Sequence, residues 1–137
     1  MDGFLLEIIT PEKHFFKGEV EQITCQTEAG ELGILKGHQT AVVSLSVGEI
    51  KVKRNGEWKN AFISGGFMEV RKDEVMIFSQ CCEWPEEIDA VRAEESRKRA
   101  LDRIEHAHNL KEHRHNEISL ARAMARLKVK NSQKPNM

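Results

Sequence analysis

The chain has 137 residues, 39% of them hydrophobic and 31% charged, with a formal net charge of −1. That length suits one ordinary domain or a small domain with an appendage, and those proportions allow a modest core. No apolar run is long enough to span a bilayer, and Met1-Asp2-Gly3 carries no basic leader, so a protein without membrane insertion, kept in the cytosol, is expected.

The first part of the chain reads as short strands. Phe4 to Thr10 is β-rich and stops at Pro11. Ile23, Cys25 and Thr27 alternate with polar neighbours, as do Ile50 and Val52. Asn55-Gly56 then signals a tight hairpin, because both of its turn positions need positive φ. Trp58 to Ser64 is the returning strand, broken by Gly65-Gly66. Phe67 to Val70 and Glu74 to Phe78 are two more strands, joined by a turn at Arg71-Lys72-Asp73. Closely spaced strands of this kind predict a compact all-β sandwich or barrel. Cys81 and Cys82 are adjacent, where a bridge would be strained; Cys25 and one of that pair are expected as small buried hydrophobes.

The pattern changes after Pro85. All nine glycines lie at or before Gly66, and from Glu86 to Lys130 there is neither Gly nor Pro. Ala90, Ala93, Ala100, Ile104 and Ala107 recur at helical spacing. Ile118, Ala121 and Ala125 make a similar stripe, with Leu120, Met124 and Leu127 beside it. Small residues let helices approach closely, so an antiparallel α-helical hairpin is expected, turning within residues 107–111 and ending in a disordered tail from about 131. Charge divides at the same place. Residues 1–85 hold 9 Lys and Arg against 13 Asp and Glu, whereas residues 86–137 hold 12 against 9. The expected organisation is therefore a sandwich over 1–85 and a helical hairpin over 86–137.

The chemistry-bearing positions cluster on the hairpin. Asp89, Arg92, Ser96, Arg99 and Arg103 step by three and four, so they share one helix face. Arg122 and Arg126 share a face of the second helix. Two readings fit. One is a solvated charged face with an acidic first turn. The other is a polyphosphate site, since guanidinium groups make bidentate contacts to phosphate oxygens. In the second, Asp89 orients Arg92 or accepts from a base amino group. Catalysis has little support. Ser64-Gly65-Gly66 lacks the Gly that precedes the Ser of a nucleophile elbow, and Gly30-Glu31-Leu32-Gly33 lacks the Lys-Ser/Thr ending of a phosphate loop. His106, His108, His113 and His115 form i,i+2 pairs, which diverge on a helix and make a poor metal site.

Three segments in order carry a family resemblance. Gly30-Glu31-Leu32-Gly33-Ile34-Leu35-Lys36-Gly37-His38 and Ile63-Ser64-Gly65-Gly66-Phe67-Met68-Glu69-Val70 resemble two signatures of the epsilon subunit of F-type ATP synthases. Ile88-Asp89-Ala90-Val91-Arg92-Ala93 resembles the ATP-binding motif at the head of that family's C-terminal hairpin. The resemblance implies a non-catalytic subunit at the cytoplasmic face of a bacterial plasma membrane. Its sandwich would bind the gamma subunit and the rotor c-ring. Its hairpin would lie folded, or extend toward the catalytic beta and alpha subunits and restrain ATP hydrolysis. ATP is then a regulatory ligand rather than a substrate, and Mg²⁺ is left open. The implied nucleotide set is Glu83, Ile88, Asp89, Arg92, Ala93, Arg99, Arg122 and Arg126. Glu31 and His38 are the implied rotor contacts, and Arg114, Arg122, Arg126 and Lys128 form the implied inhibitory basic helix. Two departures stand out: Lys36 where a Pro is common, and Trp84-Pro85 where relatives usually carry small or charged residues. The alternative reading is a free-standing ATP-responsive adaptor. A nucleic-acid-binding module ranks lower, since the hairpin supplies no aromatic stacking surface.

Overall fold

The computed structural model describes residues 3–132. Ten strands come first: β1 (Phe4–Ile9), β2 (His14–Val20), β3 (Gln22–Thr27), β4 (Gly30–Leu35), β5 (Ala41–Leu45), β6 (Gly48–Arg54), β7 (Glu57–Ile63), β8 (Gly66–Val70), β9 (Glu74–Phe78) and β10 (Cys82–Glu83). They form two five-stranded sheets, ordered β2-β1-β9-β8-β5 and β10-β7-β6-β3-β4. Pairing is antiparallel except between β1 and β9. A short 3-10 turn at Pro85–Glu87 leads to α1 (Ala90–Glu105) and α2 (Leu110–Ser132). The all-β sandwich followed by a helical hairpin is the expected fold class.

Alternation along the strands decides what lies between the sheets. Phe4, Leu6 and Ile8 of β1 point inward, as do Ile23 and Cys25 of β3 and Ile50 and Val52 of β6. Asn55 and Gly56 both have positive φ, at 53° and 77°, so β6 and β7 close through a two-residue turn whose twist matches the strands. At Gly66 the backbone has φ +139°, and an added Cβ would lie 2.0 Å from the Phe78 carbonyl oxygen; only glycine fits there. Buried Cys25 and Cys82 behave as small hydrophobes, each thiol pushed up to about 11, mainly by burial.

Two expectations are corrected. Residues 30–35, expected as part of a loop, are edge strand β4, with Glu31 opposite Gln26 of β3. The stripe on α2 is also shifted. Ile118 is 50% exposed and Ala121 is exposed, whereas Asn116, Ala123 and Val129 are buried. The true inward face begins two residues earlier, because α2 must cover α1 and the sandwich at once. On α1, Ala93 and Ala100 are buried as expected. The helices are joined through residues 106–109, inside or next to the expected turn. Asn131 and Ser132 continue α2, and the rest of the expected tail, residues 133–137, lies outside the described residues.

Among the described residues, the eighteen buried side chains of the sandwich core all come from the strands, which predicts an independently folding sandwich. A fragment ending at Pro85 should retain near-UV ellipticity and a cooperative thermal transition. Its midpoint should fall by several degrees, because Phe62 and Cys81 lose their cover. A fragment without a cooperative transition would make the hairpin part of the core.

Candidate functional site at the hairpin seam

Three consecutive residues of β7 are almost fully buried: Ala61, Phe62 and Ile63. Neighbours on a strand face opposite sides, so Ala61 and Ile63 enter the core between the sheets while Phe62 points outward. Phe62 is nevertheless 0% exposed, because the hairpin covers it. Phe62, Ile88 and Val129 form a separate apolar cluster, flanked by Val47, Cys81 and Ala125. This small cluster joins the two parts of the molecule. Its sequence signal is the unbroken run Ala61-Phe62-Ile63, where a strand open on one face would alternate.

Polar contacts surround the cluster. Arg126 Nε and Nη2 donate to the two carboxylate oxygens of Glu83 at 2.9 and 3.2 Å. The Arg126 guanidinium also lies 4.5 Å from the centre of the Phe62 ring, and its Nη2 is 3.8 Å from Cys81 Sγ. Both members of the pair are less than one third exposed. Burial and then Glu83 raise the Cys81 thiol pKa, opposed by Arg126. Lys130 Nζ donates to the Pro85 carbonyl at 2.8 Å.

The expected nucleotide residues do not all meet in one place. Glu83, Ile88 and Arg126 meet at the seam. Asp89 is the N-cap of α1, and its Oδ1 accepts the backbone N–H of Arg92 at 3.1 Å. It therefore satisfies a helix-end donor and does not orient the Arg92 guanidinium. Ala93 is buried, and its small side chain permits the close approach of the helices. Arg92 is exposed, and Arg99 Nη2 donates to Ser96 Oγ at 3.3 Å. Arg99 lines a cleft of about 200 Å³ between the helices, opposite Asn116 and Ser119 of α2. Arg122 stands one turn beyond Ser119, at a groove of about 460 Å³ bounded by Ser64, Gly65, Gly66 and Ser79. Ser119, Arg122 and Arg126 share one face of α2 by their spacing, so a cationic strip of two arginines, Arg122 and Arg126, leads along α2 from the helical cleft toward Glu83.

The remaining expected residues lie apart. Arg114 and Lys128 are exposed on α2. Glu31 on β4 is exposed, whereas His38 is half-buried, its Nδ1 3.0 Å from the Gln39 carbonyl. Trp84 stacks on Phe15 with ring centres 4.5 Å apart, so this departure from the family pattern anchors the linker to the sandwich. Glu83, on the other side of the strand, still reaches Arg126. No helix among the described residues is long and apolar enough to cross a membrane.

Comparison with known proteins agrees with this layout. Residues 4–85 match the family described as ATP synthase, Delta/Epsilon chain, beta-sandwich domain, and residues 86–131 match the companion long alpha-helix domain. The chain is 44% identical over 127 residues to the ATP synthase epsilon chain of Caldanaerobacter subterraneus subsp. tengcongensis, covering 92% of each chain. It is 39% identical over 124 residues to that of Bacillus velezensis, covering 90% of this chain and 94% of the relative. Among solved structures, a chain of the Euglena gracilis mitochondrial ATP synthase superposes with a TM-score of 0.82 at 25% identity, covering 91% of this chain and 79% of that one. A chain of the Tetrahymena thermophila mitochondrial central stalk and c-ring shares the fold, with a TM-score of 0.64 at 16% identity. A two-sheet sandwich carrying a docked helical hairpin, matched over nine-tenths of its length by epsilon chains, places this protein in the epsilon chain family of F-type ATP synthases, whose members are non-catalytic subunits of that enzyme.

Proposed function

We propose that this subunit seats its sandwich on the gamma subunit and the rotor c-ring, while its hairpin acts as a detachable, ATP-held regulator of hydrolysis. Glu31 and His38 are the proposed rotor contacts, since Glu31 is exposed on edge strand β4 and His38 follows just beyond it. The subunit would lie at the cytoplasmic face of the bacterial plasma membrane, held there by its partners.

The observation that carries the reading is the composition of the seam. Among the described residues its apolar cluster has three buried members, Phe62, Ile88 and Val129, and the adjoining ion pair is made by Glu83 and Arg126, both in the implied nucleotide set. A seam this small can open without unfolding the sandwich. ATP phosphates along the Arg99–Arg122–Arg126 strip would bridge both helices and the sandwich, with Arg92 on the same face of α1 as Arg99. A ligand that binds only this folded form shifts the population toward it. In the extended form, Arg114, Arg122, Arg126 and Lys128 would instead meet acidic surface on the catalytic beta and alpha subunits. The two uses compete for Arg122 and Arg126.

The assembled synthase tests this directly. Neutralising Arg114, Arg122, Arg126 and Lys128 together should raise its ATP hydrolysis, and deleting residues 86–137 should raise it at least as much. Added salt should partly mimic the neutralisation, because exposed charges are screened within about 10 Å at 0.1 M ionic strength. Synthesis should change little. Unaltered hydrolysis in both variants would remove the hairpin from regulation.

A further inference from the structure

The last turn of α2 is held by a second set of contacts, separate from the cationic strip. Glu49 of β6 and Asn60 of β7 lie on the outer face of their sheet, beside Phe62. Asn60 Nδ2 is 2.8 Å from Glu49 Oε2, 3.2 Å from the Val129 carbonyl oxygen and 2.5 Å from Ser132 Oγ. Ser132 Oγ is in turn 2.9 Å from Glu49 Oε2 and 3.1 Å from the Val129 carbonyl. The carbonyls of a helix's final turn have no donors ahead of them within the helix. Here the Asn60 side chain donates to the Val129 carbonyl from another part of the molecule.

The electrostatics make this contact conditional. Glu49 has a side chain only 5% exposed, and it sits at the C-terminal end of α2, where the helix dipole is negative. A carboxylate there is disfavoured unless donors surround it. Its donors are Asn60 Nδ2 and the Ser132 hydroxyl, with Lys51 Nζ 3.8 Å from Oε1. The Ser132 hydroxyl leaves with the hairpin, whereas Asn60 and Lys51 stay with the sandwich.

We infer that Glu49, Asn60 and Ser132 form a latch that holds the C-terminal end of the hairpin on the sandwich independently of nucleotide. This rests on the reading that the hairpin detaches. The latch belongs to positions outside the implied ATP motif, so it sets the folded fraction before any ligand binds. A negative group at residue 132 would face Glu49 at contact distance and open it.

Cys81 provides the readout in the full chain, because it lies in the seam, while Cys25 and Cys82 are buried in the sandwich core. Its labelling by a thiol-specific disulfide reagent, without ATP, should follow release of the hairpin. Asn60→Ala should speed labelling about threefold to tenfold, the range expected for one net hydrogen bond. Ser132→Asp should speed it more than tenfold. Asn131→Asp is the control: Asn131 is exposed, and the change places the same charge on the same helix end without facing Glu49. It should label at close to the wild-type rate. Equal effects of Asn131→Asp and Ser132→Asp would overturn the latch and leave only a helix-end charge effect. Wild-type rates for both Asn60→Ala and Ser132→Asp would also overturn it. Val129→Asp separates this from the wider reading. If that variant labels fast and the latch variants do not, the latch alone fails; if it too labels at the wild-type rate, the detachable hairpin fails.

Discussion

Val129→Asp should release the hairpin and leave the sandwich folded. Val129 is 0% exposed, packed with Phe62 and Ile88. Full burial of a valine contributes about 1.5–3 kcal/mol, and an unpaired carboxylate in its place adds a desolvation cost of several kcal/mol. Arg126, three residues earlier, is already engaged by Glu83, and Glu49 lies close by, so the new charge would not be fully compensated. The chain avoids the cost by undocking, which returns residue 129 to water. The expected result is a larger radius of gyration in solution scattering, with the sandwich's thermal transition preserved. Amide exchange should accelerate in α2 while β1, β6 and β9 stay protected. Loss of protection throughout would show that seam and sandwich fold as one unit.

Arg126→Ala should cost both docking and ligand. It removes a bidentate contact to Glu83 and a cation stacked on Phe62, and it leaves Glu83 beside the apolar seam. Breaking such a partly buried pair costs about 2 kcal/mol. Loss of a charge-assisted phosphate contact should weaken ATP binding by roughly tenfold to a hundredfold. Arg126→Lys should recover little, since lysine keeps the charge but not the planar fork. Arg92→Ala provides the contrast. Arg92 is exposed, and the backbone N–H that Asp89 caps is retained, so ATP binding should weaken with docking unchanged. Asp89→Ala should lose the cap as well, at about 1 kcal/mol to α1. Calorimetry with ATP, beside urea titrations of each variant, separates the two kinds of loss. Equal ATP affinity in Arg126→Ala and the unmodified chain would remove Arg126 from the nucleotide site.

The strands visible in the sequence were the inner ones. β1, β3, β6, β7, β8 and β9 each have two strand neighbours or a sheet face that imposes alternation. β2, β4, β5 and β10 went unseen, and these are the four sheet edges. An edge strand is covered on fewer sides, so Lys17, Glu19, Glu31 and Val42 can interrupt the pattern without penalty. The position of the hairpin's start was legible from Asp89, because a capping side chain acts locally. The α2 face was not, since its partners are Phe62 and Asn60, 69 residues away in the case of Asn60 and Val129. Spacing placed Arg122 and Arg126 on one face correctly, but could not show that Arg126 is already engaged by Glu83. The latch was invisible for the same reason: Glu49, Asn60 and Ser132 are unremarkable as residues, and only the docking of α2 brings them together.

The rate of Cys81 labelling in the isolated chain, measured against ATP concentration, tests ligand binding and hairpin docking together. Cys81 sits under Arg126 at the seam, with its thiol pKa raised by burial and by Glu83. If ATP holds the hairpin down, labelling should slow saturably as ATP rises, and the slowing should disappear in Arg126→Ala. A labelling rate unchanged up to millimolar ATP, in a chain whose Val129→Asp variant labels faster, would contradict an ATP-held hairpin.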